Sequence, residues 1–87
     1  MIFNLLMPKL PTISYKELLK LLNQLDYQVD RQRGSHIRMK KILPKGHHSI
    51  TIPAHKEIAK GTLNNILNKI SQYTNVPKEE LLNRLRK

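Results

Sequence analysis

Leu18, Leu21, Leu22 and Leu25 recur at i, i+3, i+4 and i+7 in "ISYKELLKLLNQLDY", while Lys16, Lys20 and Asn23 fall largely off that stripe. This is the period of an amphipathic helix with one face to bury. Ser14 and Glu17 have the Ser-x-x-Glu spacing of a capping box, and Ile13 is placed to staple onto Leu18, so the helix is expected to begin here and to end near Asp26. From Tyr27 the period changes to two. Tyr27 and Val29 alternate with Gln28 and Asp30, and Arg33-Gly34-Ser35 then supplies turn chemistry. In the next strand Ile37 and Met39 share one face, which sends His36, Arg38 and Lys40 to the other. "SITIP" repeats the pattern, with Ile50 and Ile52 together and Ser49 and Thr51 opposite, and the intervening "ILPKGHH" reads as a loop through Pro44 and Gly46.

Leu63, Ile66, Leu67 and Ile70 predict a second helix, which Gly61 or Thr62 is expected to cap. A third, shorter helix is expected from Pro77, with Glu79 and Glu80 near the positive end of its dipole and Leu81, Leu82 and Leu85 on its apolar side. The order α-β-β-β-α-α defines an α+β class: a three-stranded antiparallel sheet with helices packed on one face. A helix layer on one face leaves the other wet. The wet face is the cationic one, and His36 is expected to point into solvent from it.

Composition sharpens this picture. The 87 residues carry a formal charge of +10, more than solubility requires, which points to a polyanionic partner, with nucleic acid first. The charge is concentrated: residues 31–60 hold eight lysines and arginines against the single acid Glu57, and all four histidines, His36, His47, His48 and His55, lie in the same window. The chain is expected to be a single domain over 1–87, which limits it to a modest core. With no cysteine there is neither a disulfide framework nor a thiolate metal site, and a cytoplasmic location is the expectation. The apolar opening "MIFNLLM" lacks a basic leader region and is followed by Pro8 and Pro11. Residues 1–6 are accordingly read as a disordered N-terminal extension, with Met7 an alternative start. No segment is long and apolar enough to cross a bilayer.

His36 has three ordinary readings: a core histidine, a solvated surface residue, or a metal ligand. Ile37 and Met39 already claim the buried face, which weighs against the first. The third is weak, because His47 and His48 would point opposite ways on a strand and the spacing to His55 matches no zinc pattern, so neither metal nor cofactor is expected. Against the solvated reading stands a chemical one. RNA carries a 2′-hydroxyl that attacks its own adjacent phosphate once a proton is removed. An imidazole suits that transfer, surrounding cations favour its neutral, base-competent form, and they also stabilise charge on phosphorus. Lys56, Lys60 and the first-turn N–H groups of the second helix add an anion-binding end. Tyr15, Tyr27, Tyr73 and Phe3 are not interleaved with the basic residues, so backbone or shape recognition is favoured over base stacking. Ser35 is read as a turn residue. Two non-catalytic alternatives stay open: an RNA-binding module using the same basic face, and a cationic surface that meets an acidic protein.

Taken together, "RQRGSHIRMKK", "ITIPAH" and "KGTLNNIL" resemble the HicA family of toxin-type mRNA interferases, from about Met7 to Ile70. The resemblance implies a double-stranded RNA-binding-like fold, with residues 7–70 as the family core and 77–86 as an added C-terminal helix. It implies mRNA cleavage and restraint by a HicB-type antitoxin, and the histidine chemistry above needs no metal. His36 matches the family's catalytic histidine, with Gly34 and Ser35 fixing the turn that presents it and His55 in a supporting or RNA-contacting part. Arg33, Arg38, Lys40, Lys56 and Lys60 are expected to bind phosphate. The chain departs from the family in having Asp26-Tyr27 where many members have Gly-Phe, so the helix stop relies on aspartate tolerating a left-handed conformation.

Overall fold

The computed structural model describes residues 10–86; the expectations for residues 1–6 and Met7 lie outside them. Helix α1 spans Tyr15–Gln24. Its start is the capping box: Glu17 N–H donates to the Ser14 hydroxyl at 3.3 Å, and Ser14 N–H donates to the Glu17 carboxylate at 2.9 Å. Ile13 and Leu18 are both buried, as the staple requires.

The end of α1 is a Schellman turn built without glycine. Tyr27 N–H donates to the Leu22 carbonyl at 2.9 Å, Asp26 N–H donates to the Asn23 carbonyl at 3.1 Å, and Asp26 sits at φ 71°. Aspartate therefore takes the left-handed position. Lys41 reaches across from the sheet, donating from Nζ to the Leu25 carbonyl at 2.8 Å and lying 3.8 Å from the Asp26 carboxylate. A cation there complements the negative end of the helix dipole.

Strands β1 (Gln28–Arg33), β2 (His36–Ile42) and β3 (His47–Pro53) form an antiparallel sheet in the order β1-β2-β3. Gly34, at φ 58°, and Ser35 connect β1 to β2 in two residues, with Arg33 paired to His36. A positive φ at the first turn position suits glycine. The register of β1 shifts once: Val29 pairs with Met39, but Arg31 pairs with Arg38, so Asp30 is an extra, bulged residue. Strict alternation from Tyr27 would send Arg31 inward with Val29. The bulge reverses this, placing Arg31 and Arg33 on the same face as Arg38 and His36. Val29, which alternates with Gln28 and Asp30, pairs with Met39 but remains 56% exposed.

Two other expectations are corrected. The loop between β2 and β3 is confined to residues 43–46, closed by Leu43 N–H donating to the Gly46 carbonyl at 3.0 Å, so His47 and His48 belong to β3. Helix α2 spans Lys60–Thr74 with Ala59 at its N-cap, so neither Gly61 nor Thr62 caps it. Helix α3 spans Lys78–Leu85, immediately after Pro77. The inner sheet face (Ile37, Met39, Ile50, Ile52) packs with Leu18, Leu21 and Leu22 of α1, Leu63, Ile66, Leu67 and Ile70 of α2, and Leu81, Leu82 and Leu85 of α3 in one core. The α+β order and one-sided helix layer are those the hydrophobic pattern predicts.

Candidate active site

His36 opens β2, paired with Arg33 on one side and with Pro53 on the other. Its side chain is exposed, since Ile37 next to it fills the core. Around it lies a shallow cleft of about 190 Å³ lined by Arg31, Arg33, His36, Arg38 and Thr51. Three guanidinium groups thus surround one imidazole, with no carboxylate among the lining residues. The turn that presents His36 is tied down from the far edge of the sheet, because the Ser35 carbonyl accepts a hydrogen bond from Ala54 N–H at 2.7 Å. Ser35 serves the turn through its backbone.

Arg38 is the most constrained of the three arginines. Its Nε lies 3.6 Å from the Asp30 carboxylate and is shielded from solvent without a hydrogen bond among the described residues, and its terminal nitrogen donates to Ser49 Oγ at 3.4 Å. The bulged residue thus compensates the charge of the guanidinium and holds it over the sheet. Arg31 was visible in the basic window but not singled out. Its face depends on the bulge, which alternation alone does not reveal.

The other sequence-predicted site residues lie outside this cleft. Lys40 lines a separate depression with Asp26, Gln28, Val29, Asp30 and Ile42. His55 is exposed on the segment leaving β3; its carbonyl accepts from Tyr15 N–H at 3.0 Å and its N–H donates to the Pro53 carbonyl at 2.8 Å, joining the strand exit to the first turn of α1. Lys56 is exposed, and Lys60 donates from Nζ to Thr12 Oγ1 at 2.9 Å.

The remaining histidines divide by face. His47 is exposed, while His48 is 9% exposed, with its Nδ1 2.7 Å from the Tyr27 hydroxyl and its ring stacked on Tyr73 at 3.7 Å between centroids. Burial first, and then the positive charge of Lys69, hold its pKa below the usual histidine value. Burial pushes the Tyr27 hydroxyl up to about 12, with Tyr73 adding to the shift. Both groups are therefore neutral near pH 7, and His48 is a structural residue. Among the described residues no cluster of three histidines, cysteines or carboxylates is placed to hold a metal ion.

Residues 15–71 match the family described as HicA toxin of bacterial toxin-antitoxin systems. The chain belongs to this HicA toxin family. The match runs from α1 to within α2 and includes the whole sheet, so the face bearing His36 lies inside the HicA region, whereas α3 lies beyond it. Membership brings a toxin role and a cognate antitoxin. No curated protein and no solved structure matches the chain. Among the described residues, no helix of this HicA chain is long and apolar enough to cross a membrane.

Proposed function

We propose that this HicA family member is a cytoplasmic endoribonuclease that cleaves mRNA, uses no metal or other cofactor, and is restrained by a HicB-type antitoxin. The observation that carries this reading is the placement of His36 on the helix-free face, in a cleft whose charged lining is Arg31, Arg33 and Arg38. In the proposed reaction His36 takes the proton from the 2′-hydroxyl of the nucleotide preceding the scissile phosphate. The 2′-oxygen then forms a bond to phosphorus as the bond from phosphorus to the 5′-oxygen breaks, and the departing oxygen takes a proton from solvent. The products are a 2′,3′-cyclic phosphate and a 5′-hydroxyl.

Guanidinium groups match phosphate in shape and charge and stabilise the added negative charge on the phosphorane. Arg31, Arg33 and Arg38 are assigned this work beside the imidazole, Lys40 binds phosphate farther along the same strand, and Lys56, Lys60 and His55 serve flanking RNA. Gly34 and Ser35 position His36. The test is incubation of a long RNA in excess EDTA. Cleavage giving 5′-hydroxyl ends, with DNA of the same sequence left intact, is expected. Cleavage of the DNA, or 5′-phosphate ends on the RNA, would overturn the proposed chemistry. Salt-sensitive binding with no cleavage would identify a non-catalytic RNA-binding module instead.

A further inference from the structure

A second groove runs between β3 and α2, about 380 Å³ in volume and lined by Ser49, Ile50, Thr51, Thr62, Asn65, Ile66 and Lys69. Thr62, Asn65 and Lys69 stand at i, i+3 and i+7, so they form one polar stripe along α2, opposite Ser49 and Thr51 of the strand. Ile50 and Ile66 are buried in its floor. All three stripe residues are exposed, and none has a side-chain hydrogen bond or ion pair among the described residues. β3 is an edge strand, so this side of it has no neighbouring strand.

Two observations say what the groove takes. Thr51 lines both this groove and the His36 cleft, and Arg38 of the cleft donates to Ser49 of the groove, so the two depressions form one continuous surface across β3. The charge lining is also one-signed: neither depression has a carboxylate, whereas Asp26 and Asp30 line the depression beside Lys40, and Glu17 lines the one between α1 and α3. A polyanion crossing the sheet from His36 meets hydroxyl, amide and ammonium groups with no carboxylate in this direction, whereas in the other two the cations Lys40, Lys20 and Arg84 are accompanied by carboxylates.

We propose that the groove between β3 and α2 is a second RNA subsite, which holds the sugar-phosphate backbone of nucleotides flanking those at His36. This rests on the reading of the His36 face as an RNA-cleaving site. Lys69 supplies the phosphate contact, and the Thr62 hydroxyl and Asn65 amide supply donors and acceptors for phosphate or ribose hydroxyls. RNA long enough to cross β3 gains affinity from the groove, and a short one held only at His36 does not.

The test uses the full chain carrying His36→Ala, so that RNA survives the measurement, and fluorescence anisotropy with single-stranded RNAs of about 4 and about 12 nucleotides, a span typical of one small binding domain. The longer RNA is expected to bind more tightly. Adding Lys69→Gln should weaken it several-fold and reduce the slope of log affinity against log salt by about one, while leaving the shorter RNA unchanged. Asn65→Ala should weaken the longer RNA alone with the slope preserved. Binding of both RNAs that is indifferent to Lys69→Gln and Asn65→Ala would overturn the groove while leaving the cleft reading intact. Failure of the parent to bind either RNA would overturn both.

Discussion

Replacing Tyr27 by phenylalanine removes one oxygen from the middle of the protein and leaves His48 Nδ1 without its 2.7 Å partner. Both residues are buried, so water does not readily substitute, and the ring of Tyr73 stacked at 3.7 Å covers one face of the imidazole. An orphaned buried polar group costs about 1–3 kcal/mol. At about 4–8 °C per kcal/mol for a chain of this size, Tyr27→Phe should lower Tm by roughly 5–20 °C. Urea unfolding of Tyr27→Phe, His48→Leu and the double variant provides the coupling energy. The double variant should lose at least about 1 kcal/mol less than the sum of the single losses, because removing both partners leaves nothing unsatisfied. The pH dependence follows from the same pair. The unfolded chain takes up a proton near the ordinary histidine value of 6.5, which folded His48 resists, so stability is fully present above that value and falls as pH drops below it toward the lowered folded pKa. His48→Leu should flatten that part of the curve. Tyr27 gives the alkaline limb: its contribution is intact below pH 10 and lost as pH rises toward 12. Additive single losses, or an unchanged acid limb in His48→Leu, would refute the assignment of this pair as the polar anchor of β3.

Asp26→Gly should raise stability by about 0.5 kcal/mol, seen as a higher urea midpoint at constant slope, because glycine relieves the left-handed strain at φ 71° and the exposed carboxylate gives up only a weak pairing with Lys41. A lower midpoint would mean that the Asp26 side chain holds the turn. Arg31→Ala should weaken RNA binding across all sequences and reduce its salt slope by about one, with an unchanged urea midpoint, since the bulge places this exposed side chain on the His36 face. A salt slope equal to that of the parent protein would place Arg31 outside the RNA path.

The elements were legible in the sequence because their signals are local. Leucine periodicity and the Ser14–Glu17 box each need no more than a few neighbouring residues, and the left-handed turn at Asp26 followed from the family's glycine at that place. Alternation at Ile37 and Met39 was enough to turn His36 outward. The bulge at Asp30 was not legible, because "QVDRQR" has a single apolar residue, too little to report a change of phase. Pro44 and Gly46 draw His48 into a loop reading, since the partners that bury it, Tyr27 and Tyr73, are distant in sequence and meet it only through the fold. The same limit applies to the arginines. Charge counting found the basic window, but only the register of β1 puts Arg31 on the face of His36.

Assay of RNA cleavage by His36→Ala beside the parent protein, with urea unfolding and RNA affinity measured on the same preparations, isolates the imidazole. Because the side chain is exposed and fills no core space, the variant should keep its urea midpoint and bind RNA within a few-fold of the parent. Its cleavage rate should fall by about 100- to 10,000-fold, the usual contribution of a positioned acid-base group. A folded, RNA-binding variant that still cleaves at the parent rate would show that the chemistry lies elsewhere.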